Sequence, residues 1–126
     1  MTSLNRDGWL ESLRASIPEI SPAEALARGH EVLYAAKKVV DIAAMPRPKI
    51  LGDAEGIITF TVDAGTRRLL GATLFCVDSQ EVINLVALAM RAGVTADELL
   101  NGIWTHPSST EALNEVLAEL APYTGG

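Results

Sequence analysis

Between Val82 and Met90 every side chain but one, Asn84, is apolar. The flanks predict a single helix there. Asp78 or Ser79 serves as its N-cap, the helix runs to Ala92, and Gly93 ends it. Val82, Val86 and Ala89 fall on one stripe of that helix, and Ile83, Ala87 and Met90 form a second stripe beside it. Leu85 and Leu88 point elsewhere. A helix lying on one side of a sheet needs one apolar stripe. This one needs cover around most of its circumference, and a two-layer domain of 126 residues covers one side. Two sources of the remaining cover stay open: a second subunit, or residues 1–20 folded back over the helix. The run is too short to span a bilayer, and the first residues lead into no long apolar stretch, so neither a membrane span nor a signal peptide is expected.

The elements around this helix come in separate blocks. Trp9, Leu10, Leu13 and Ile17 have the spacing of a short amphipathic helix over residues 8–17, which Pro18 ends. Ser21, Pro22 and Glu24 form a helix start, with Ser as cap, Pro in the first turn and Glu three residues after the cap. That helix runs through Leu26 to Gly29. His30 to Ala35 is expected to be a strand, and residues 39–45 a helical turn before Pro46-Arg47-Pro48. Two β-branched runs, Ile57 to Val62 and Leu69 to Val77, read as a hairpin joined by Asp63-Ala64-Gly65-Thr66, with Gly65 taking the positive φ. Thr95 caps a short helix, Ala96 to Asn101. The last helix follows Pro107 and reaches about Leu120, where Leu113, Val116, Leu117 and Leu120 make a core-facing stripe. Pro122 to Gly126 is a tail expected to fray. Segregated strands and helices argue for an α+β fold, an antiparallel sheet with helices packed on one face.

Charge and cysteine content narrow the partners. The net charge is −6, and apart from the pairs Lys37–Lys38 and Arg67–Arg68 the basic residues are scattered. No positive stripe exists for nucleic acid, and an anionic membrane surface is disfavoured. The lone cysteine, Cys76, can form neither an internal disulfide nor a cysteine-based metal site. It falls on the strand face of Leu70, Ala72 and Leu74 and reads as a small core residue. His30 and His106 match no metal-ligand spacing, so no metal is expected. A reducing, cytoplasmic compartment is the expectation.

The segment Ile103-Trp104-Thr105-His106-Pro107-Ser108-Ser109-Thr110-Glu111 carries the candidate chemistry. Pro107 cannot continue a preceding helix, so it sets a corner just after His106. An imidazole held at the mouth of a helix is suited to proton transfer near neutral pH. Glu111 could accept from one ring nitrogen, fixing the tautomer and making the other nitrogen a better base. Ser108 and Glu111 equally satisfy the capping-box spacing S-x-x-E, in which Glu111 serves the backbone alone. A small-hydrolase reading is poor: Ser108 and Ser109 adjoin the histidine, and no pattern for an oxyanion hole or a buried carboxylate completes a triad.

Taken in order, Pro46-Arg47-Pro48-Lys49-Ile50-Leu51-Gly52-Asp53, the hairpin with Leu70-Gly71-Ala72-Thr73, the apolar helix ending Met90-Arg91-Ala92-Gly93-Val94-Thr95, and Thr105-His106-Pro107-Ser108-Ser109-Thr110-Glu111 resemble the C-terminal dimerisation domain of the pyridine nucleotide-disulfide oxidoreductases. That group includes dihydrolipoamide dehydrogenase and glutathione reductase. The resemblance covers about residues 21 to 120. It leaves 1–20 as a divergent helical segment, 21–121 as the domain and 122–126 as tail. Phe75 to Asn84 looks closest to the mercuric-reductase-like branch, which includes reductases of reactive chlorine. Mercuric reductases themselves usually carry Tyr where this chain has His106, which favours the disulfide-reducing type.

The resemblance implies a homodimer or a subunit of a flavoprotein oxidoreductase, with FAD as the cofactor. It further implies that His106 is an acid–base group reaching the partner's redox dithiol, that Glu111 orients it, and that Pro107 shapes the corner beside the partner's flavin. The chain also departs from the family's complete enzymes. It has no second cysteine and no G-x-G-x-x-G loop, so the dithiol and the nucleotide sites would lie elsewhere. A stand-alone interaction module without catalysis is the alternative.

Overall fold

The computed structural model describes residues 20–42 and 56–125. The helix expected over 8–17, the end of the turn expected over 39–45 and the Pro46–Asp53 segment lie outside them. Helix α1 (Pro22–Ala27) begins as expected: the Ser21 hydroxyl accepts from the Glu24 N–H, and Glu24 returns a bond to the Ser21 N–H. Strand β1 spans Val32–Lys38 and is followed by a single 3-10 turn, Val39–Asp41. Strands β2 (Ile57–Asp63) and β3 (Leu69–Phe75) form the hairpin. Then come α2 (Ser79–Ala92), α3 (Ala96–Leu100), a 3-10 turn at Ser109–Glu111, α4 (Ala112–Leu117) and β4 (Ala121–Pro122). The sheet is antiparallel, in the order β3-β2-β1-β4. The α+β expectation holds.

Register decides which side of the sheet is the core. Leu33, Ala35 and Lys37 of β1 stand opposite Val62, Phe60 and Ile58 of β2, and these stand opposite Leu69, Ala72 and Leu74 of β3. Side chains directly opposite across a ladder share a face. Onto that face pack Val82, Val86 and Ala89 of α2, Leu99 of α3, and Leu113, Val116 and Leu117 of α4. Phe60, on a central strand, is fully buried. On the opposite face Val32 and Thr61 are also buried, and α1 lies against β1 with Ala25 buried. Farther along that face, the cross-strand partners Ile57 and Phe75 remain exposed.

Several expectations need correction. β1 starts two residues later than expected and ends three later, because its pairing with β2 is continuous from Val32–Asp63 to Lys38–Ile57. The hairpin does not place Gly65 at positive φ; that conformation falls to Arg67, at φ 64°. The turn is one helical loop, with the Arg67 N–H donating to the Asp63 carbonyl at 2.8 Å. The Asp63 carboxylate meanwhile accepts from the N–H groups of Gly65 and Thr66. The left-handed residue is therefore needed where the loop rejoins the sheet. Arg67 in turn makes a fork on Asp97, at 2.9 and 2.7 Å.

The C-terminal segment expected to fray starts instead as an edge strand. Ala121 and Pro122 pair with β1, the Tyr123 N–H donates to Val32, and the Tyr34 and Tyr123 rings meet at 5.6 Å.

Asp63 does more than turn the chain. Its second oxygen meets His30 Nδ1 at 2.6 Å. The Thr66 N–H first, and His30 next, hold its carboxyl at about 2, below the ordinary 3.8. Because the folded-state value is depressed, the stabilisation is complete above the unfolded value and is lost as pH falls from 3.8 toward 2. Allowing for solvent screening, it is on the order of 1–2 kcal/mol. Asp63→Asn should lower the urea midpoint by a matching amount at pH 6, and the gap from wild type should narrow in melts at pH 2–3.

Candidate functional site

His106 stands in the loop between α3 and α4, and that loop is tied down before it reaches the histidine. The Asn114 side chain of α4 donates to the carbonyls of Leu100 and Gly102, at 2.8 and 3.0 Å. Trp104 packs against the core cluster. Beyond it Thr105, His106 and Pro107 are exposed, and the His106–Pro107 peptide is cis. The chain then enters the 3-10 turn that leads into α4.

One carboxylate makes both of the contacts expected of Glu111. Each of its oxygens lies 3.0 Å from His106 Nδ1, and Oε2 also accepts from the Ser108 N–H at 3.0 Å. The backbone bond holds the carboxylate in place, and the carboxylate holds the ring. An ionised carboxylate only accepts, so Nδ1 carries the proton and Nε2 of the neutral ring keeps its lone pair. The Glu111 side chain is 16% exposed and that of His106 is 76% exposed. The carboxylate is thus anchored against the fold, and the imidazole is open to solvent.

The other histidine is built differently. His30 also meets a carboxylate through Nδ1, but that carboxylate, Asp63, is engaged with the hairpin turn. This pair fastens the entry of β1 to the turn and faces no comparable open corner. The sequence singled out His106 over His30 because a proline follows it. Nothing local to His30 announces its partner 33 residues away.

Cys76 lies just past the end of β3, half-buried. Burial, with the nearby charge of Asp78 second, pushes its thiol up to about 11. A thiol so shifted is almost wholly protonated near neutral pH and is a poor nucleophile. It packs against the core cluster, as expected of it.

The N-terminus of α2 departs from expectation. Asp78 occupies the cap position in the left-handed region, at φ 62°, and makes no side-chain cap bond. Its carboxylate accepts instead from the Ser109 hydroxyl at 2.7 Å. Along α2, Val82, Val86 and Ala89 are buried, Ile83, Leu85, Ala87 and Met90 are half-covered, and Leu88 is 58% exposed. Ile103, in the loop before the histidine, is 99% exposed.

A model of the pyridine nucleotide-disulphide oxidoreductase dimerisation domain matches residues 20–117. The chain belongs to that family. The dimerisation domain accounts for most of the chain and for the fold. A probable pyridine nucleotide-disulfide oxidoreductase of Escherichia coli, RclA, is 44% identical over 77 residues, which are 61% of this chain and 18% of that protein. A dihydrolipoyl dehydrogenase of Chlorobaculum parvum is 33% identical over 91 residues, 72% of this chain and 19% of that protein. The solved structure of RclA, an HOCl-induced flavoprotein disulfide reductase from E. coli, superimposes with a TM-score of 0.73 at 37% identity, covering 80% of this chain and 22% of that one. The chain thus spans about a fifth of the length of these relatives.

The relatives are flavoproteins, which implies FAD for the family's complete enzymes. This chain's glycines nowhere adopt the G-x-G-x-x-G spacing of a dinucleotide phosphate loop. The His106–Pro107 corner is an open surface rather than an enclosure. Among the described residues no helix is long and apolar enough to cross a membrane.

Proposed function

We propose that this chain is the dimerisation module of a flavin-dependent disulfide oxidoreductase and that it presents His106 in trans to the redox dithiol of a companion chain. The observation that carries this reading is the unequal exposure of one pair: a carboxylate held by the backbone orients an imidazole that this chain leaves open. His106 takes the proton from the companion's thiol as the thiolate attacks the substrate disulfide, and returns it to the leaving thiolate. Glu111 keeps Nδ1 protonated so that Nε2 is the working nitrogen. Pro107 forms the surface that meets the companion's flavin. Cys76 takes no part. A reducing compartment, the cytoplasm, suits this thiol chemistry.

Association is expected to run through α2. The fold buries one of its stripes, leaves the second half-covered and leaves Leu88 in solvent, so a second copy or the companion supplies the remaining cover. The purified chain is expected to sediment as a dimer at micromolar concentration. Leu88→Asp should return it to monomer with its far-UV dichroism unchanged. A monomeric wild-type chain at that concentration would remove the self-association. The alternative is an interaction module without catalysis, and the His106 substitution discussed below separates the two.

A further inference from the structure

We propose that Asp78 and Ser109 form a positioning pair that holds the His106–Glu111 unit in register with helix α2. The inference rests on the reading of His106 given above. Three observations meet here. Asp78 adopts a left-handed backbone conformation, which non-glycine residues take at a cost although Asp tolerates it better than most. An acidic N-cap ordinarily accepts from the first amides of its own helix, and Asp78 does not. Its carboxylate instead reaches the Ser109 hydroxyl at 2.7 Å, across 31 residues of sequence.

Ser109 opens the 3-10 turn that ends at Glu111, and Glu111 holds both His106 Nδ1 and the Ser108 N–H. The link thus ties the N-cap of the helix expected to meet a second subunit to the turn that aims the imidazole. With the link in place, a subunit seated on α2 fixes where Nε2 points. Without it the turn moves on its own, and the ring loses its orientation before any thiol arrives. Asp78 and Ser109 touch no reacting atom; they act through Glu111.

The test reads the imidazole directly. In the full 126-residue chain at pH 8, long-range proton–nitrogen correlation spectra report the ratio of the Nδ1–H to the Nε2–H tautomer of His106. The wild-type ring is expected to be mainly Nδ1–H. Ser109→Ala should lower that ratio roughly three-fold or more, the scale of one lost hydrogen bond. Ser109→Thr, which restores the hydroxyl, should return it. A purely structural role would lower stability in Ser109→Ala and leave the tautomer ratio alone. An unchanged ratio in a folded Ser109→Ala chain, or a threonine variant that behaves like alanine, overturns the proposal. Should Ser109→Ala fail to fold, Asp78→Gly, which suits the left-handed backbone and removes the carboxylate, is read in the same way. The outcome is independent of catalysis. If His106→Ala left turnover intact, the acid–base reading would fall, while the spectra would still decide whether the pair sets the ring.

Discussion

His106→Ala is expected to lower disulfide-reducing turnover of the complex between this chain and a flavoprotein companion by roughly 100- to 10,000-fold, the range that positioned general acid–base groups supply. Association should be unaffected. The reason lies in the division of labour at the corner. The Glu111 side chain is 16% exposed and bonded to the Ser108 N–H, so it stays in place when the ring is gone. The His106 ring is 76% exposed and contributes little to packing, so its removal costs chemistry rather than fold. Glu111→Gln should fall between wild type and His106→Ala. The amide oxygen can still serve the backbone or the ring, but it does not favour the imidazolium that forms during proton transfer. Turnover measured beside sedimentation separates the effects. A His106→Ala complex that assembles and works at the wild-type rate would leave the chain as an interaction module only.

Gly56→Ala is expected to have the largest effect on the fold, a destabilisation of about 3 kcal/mol or more from strained backbone and overpacking combined. Gly56 sits immediately before β2 at φ 137°, a region that L side chains rarely adopt. A Cβ there would lie 2.0 Å from the Phe75 carbonyl oxygen, which belongs to a backbone paired in the sheet and cannot yield as a side-chain tip can. The carbonyl of Gly56 also accepts from the Val39 N–H, so a shift of this residue disturbs the exit of β1 as well. Gly65→Ala makes the control. Its φ is not positive, and its added Cβ would meet only the Asp63 Oδ1 atom, at 3.3 Å. That change should cost about 1 kcal/mol or less. Urea melts of the two variants decide the matter, and equal midpoints would refute this account of the β2 entry.

The two glycines show where reading the sequence works and where it stops. Gly65 attracted attention because it lies between two strand-like runs, where turns commonly need positive φ. Asp63 made that turn helical, moved the left-handed residue to Arg67, and freed Gly65 from the role. Gly56 drew no notice, because its need comes from Phe75, a residue that only the hairpin register brings beside it. The candidate site divides in the same way. His106, Pro107 and Glu111 are close in sequence, and their contact was legible. Asp78 and Ser109 are not: of the two caps expected, Asp78 or Ser79, Asp78 takes the cap position, but its carboxylate bonds the more distant Ser109.

By itself, the sequence determined the caps of α1 and α3, the two hairpin strands, the α+β class, the buried stripe of α2 and the His106–Glu111 contact. The caps and the His106–Glu111 contact depend on groups within a few residues of one another, and the strands, the stripe and the class on the short-period pattern of apolar residues. Tertiary structure alone decided the edge strand at Ala121–Pro122, the His30–Asp63 clasp, the Arg67–Asp97 fork and the Asp78–Ser109 link. A polar side chain bonds whichever suitable group packing brings within 3 Å, and which group that is depends on how the sheet and helices stack.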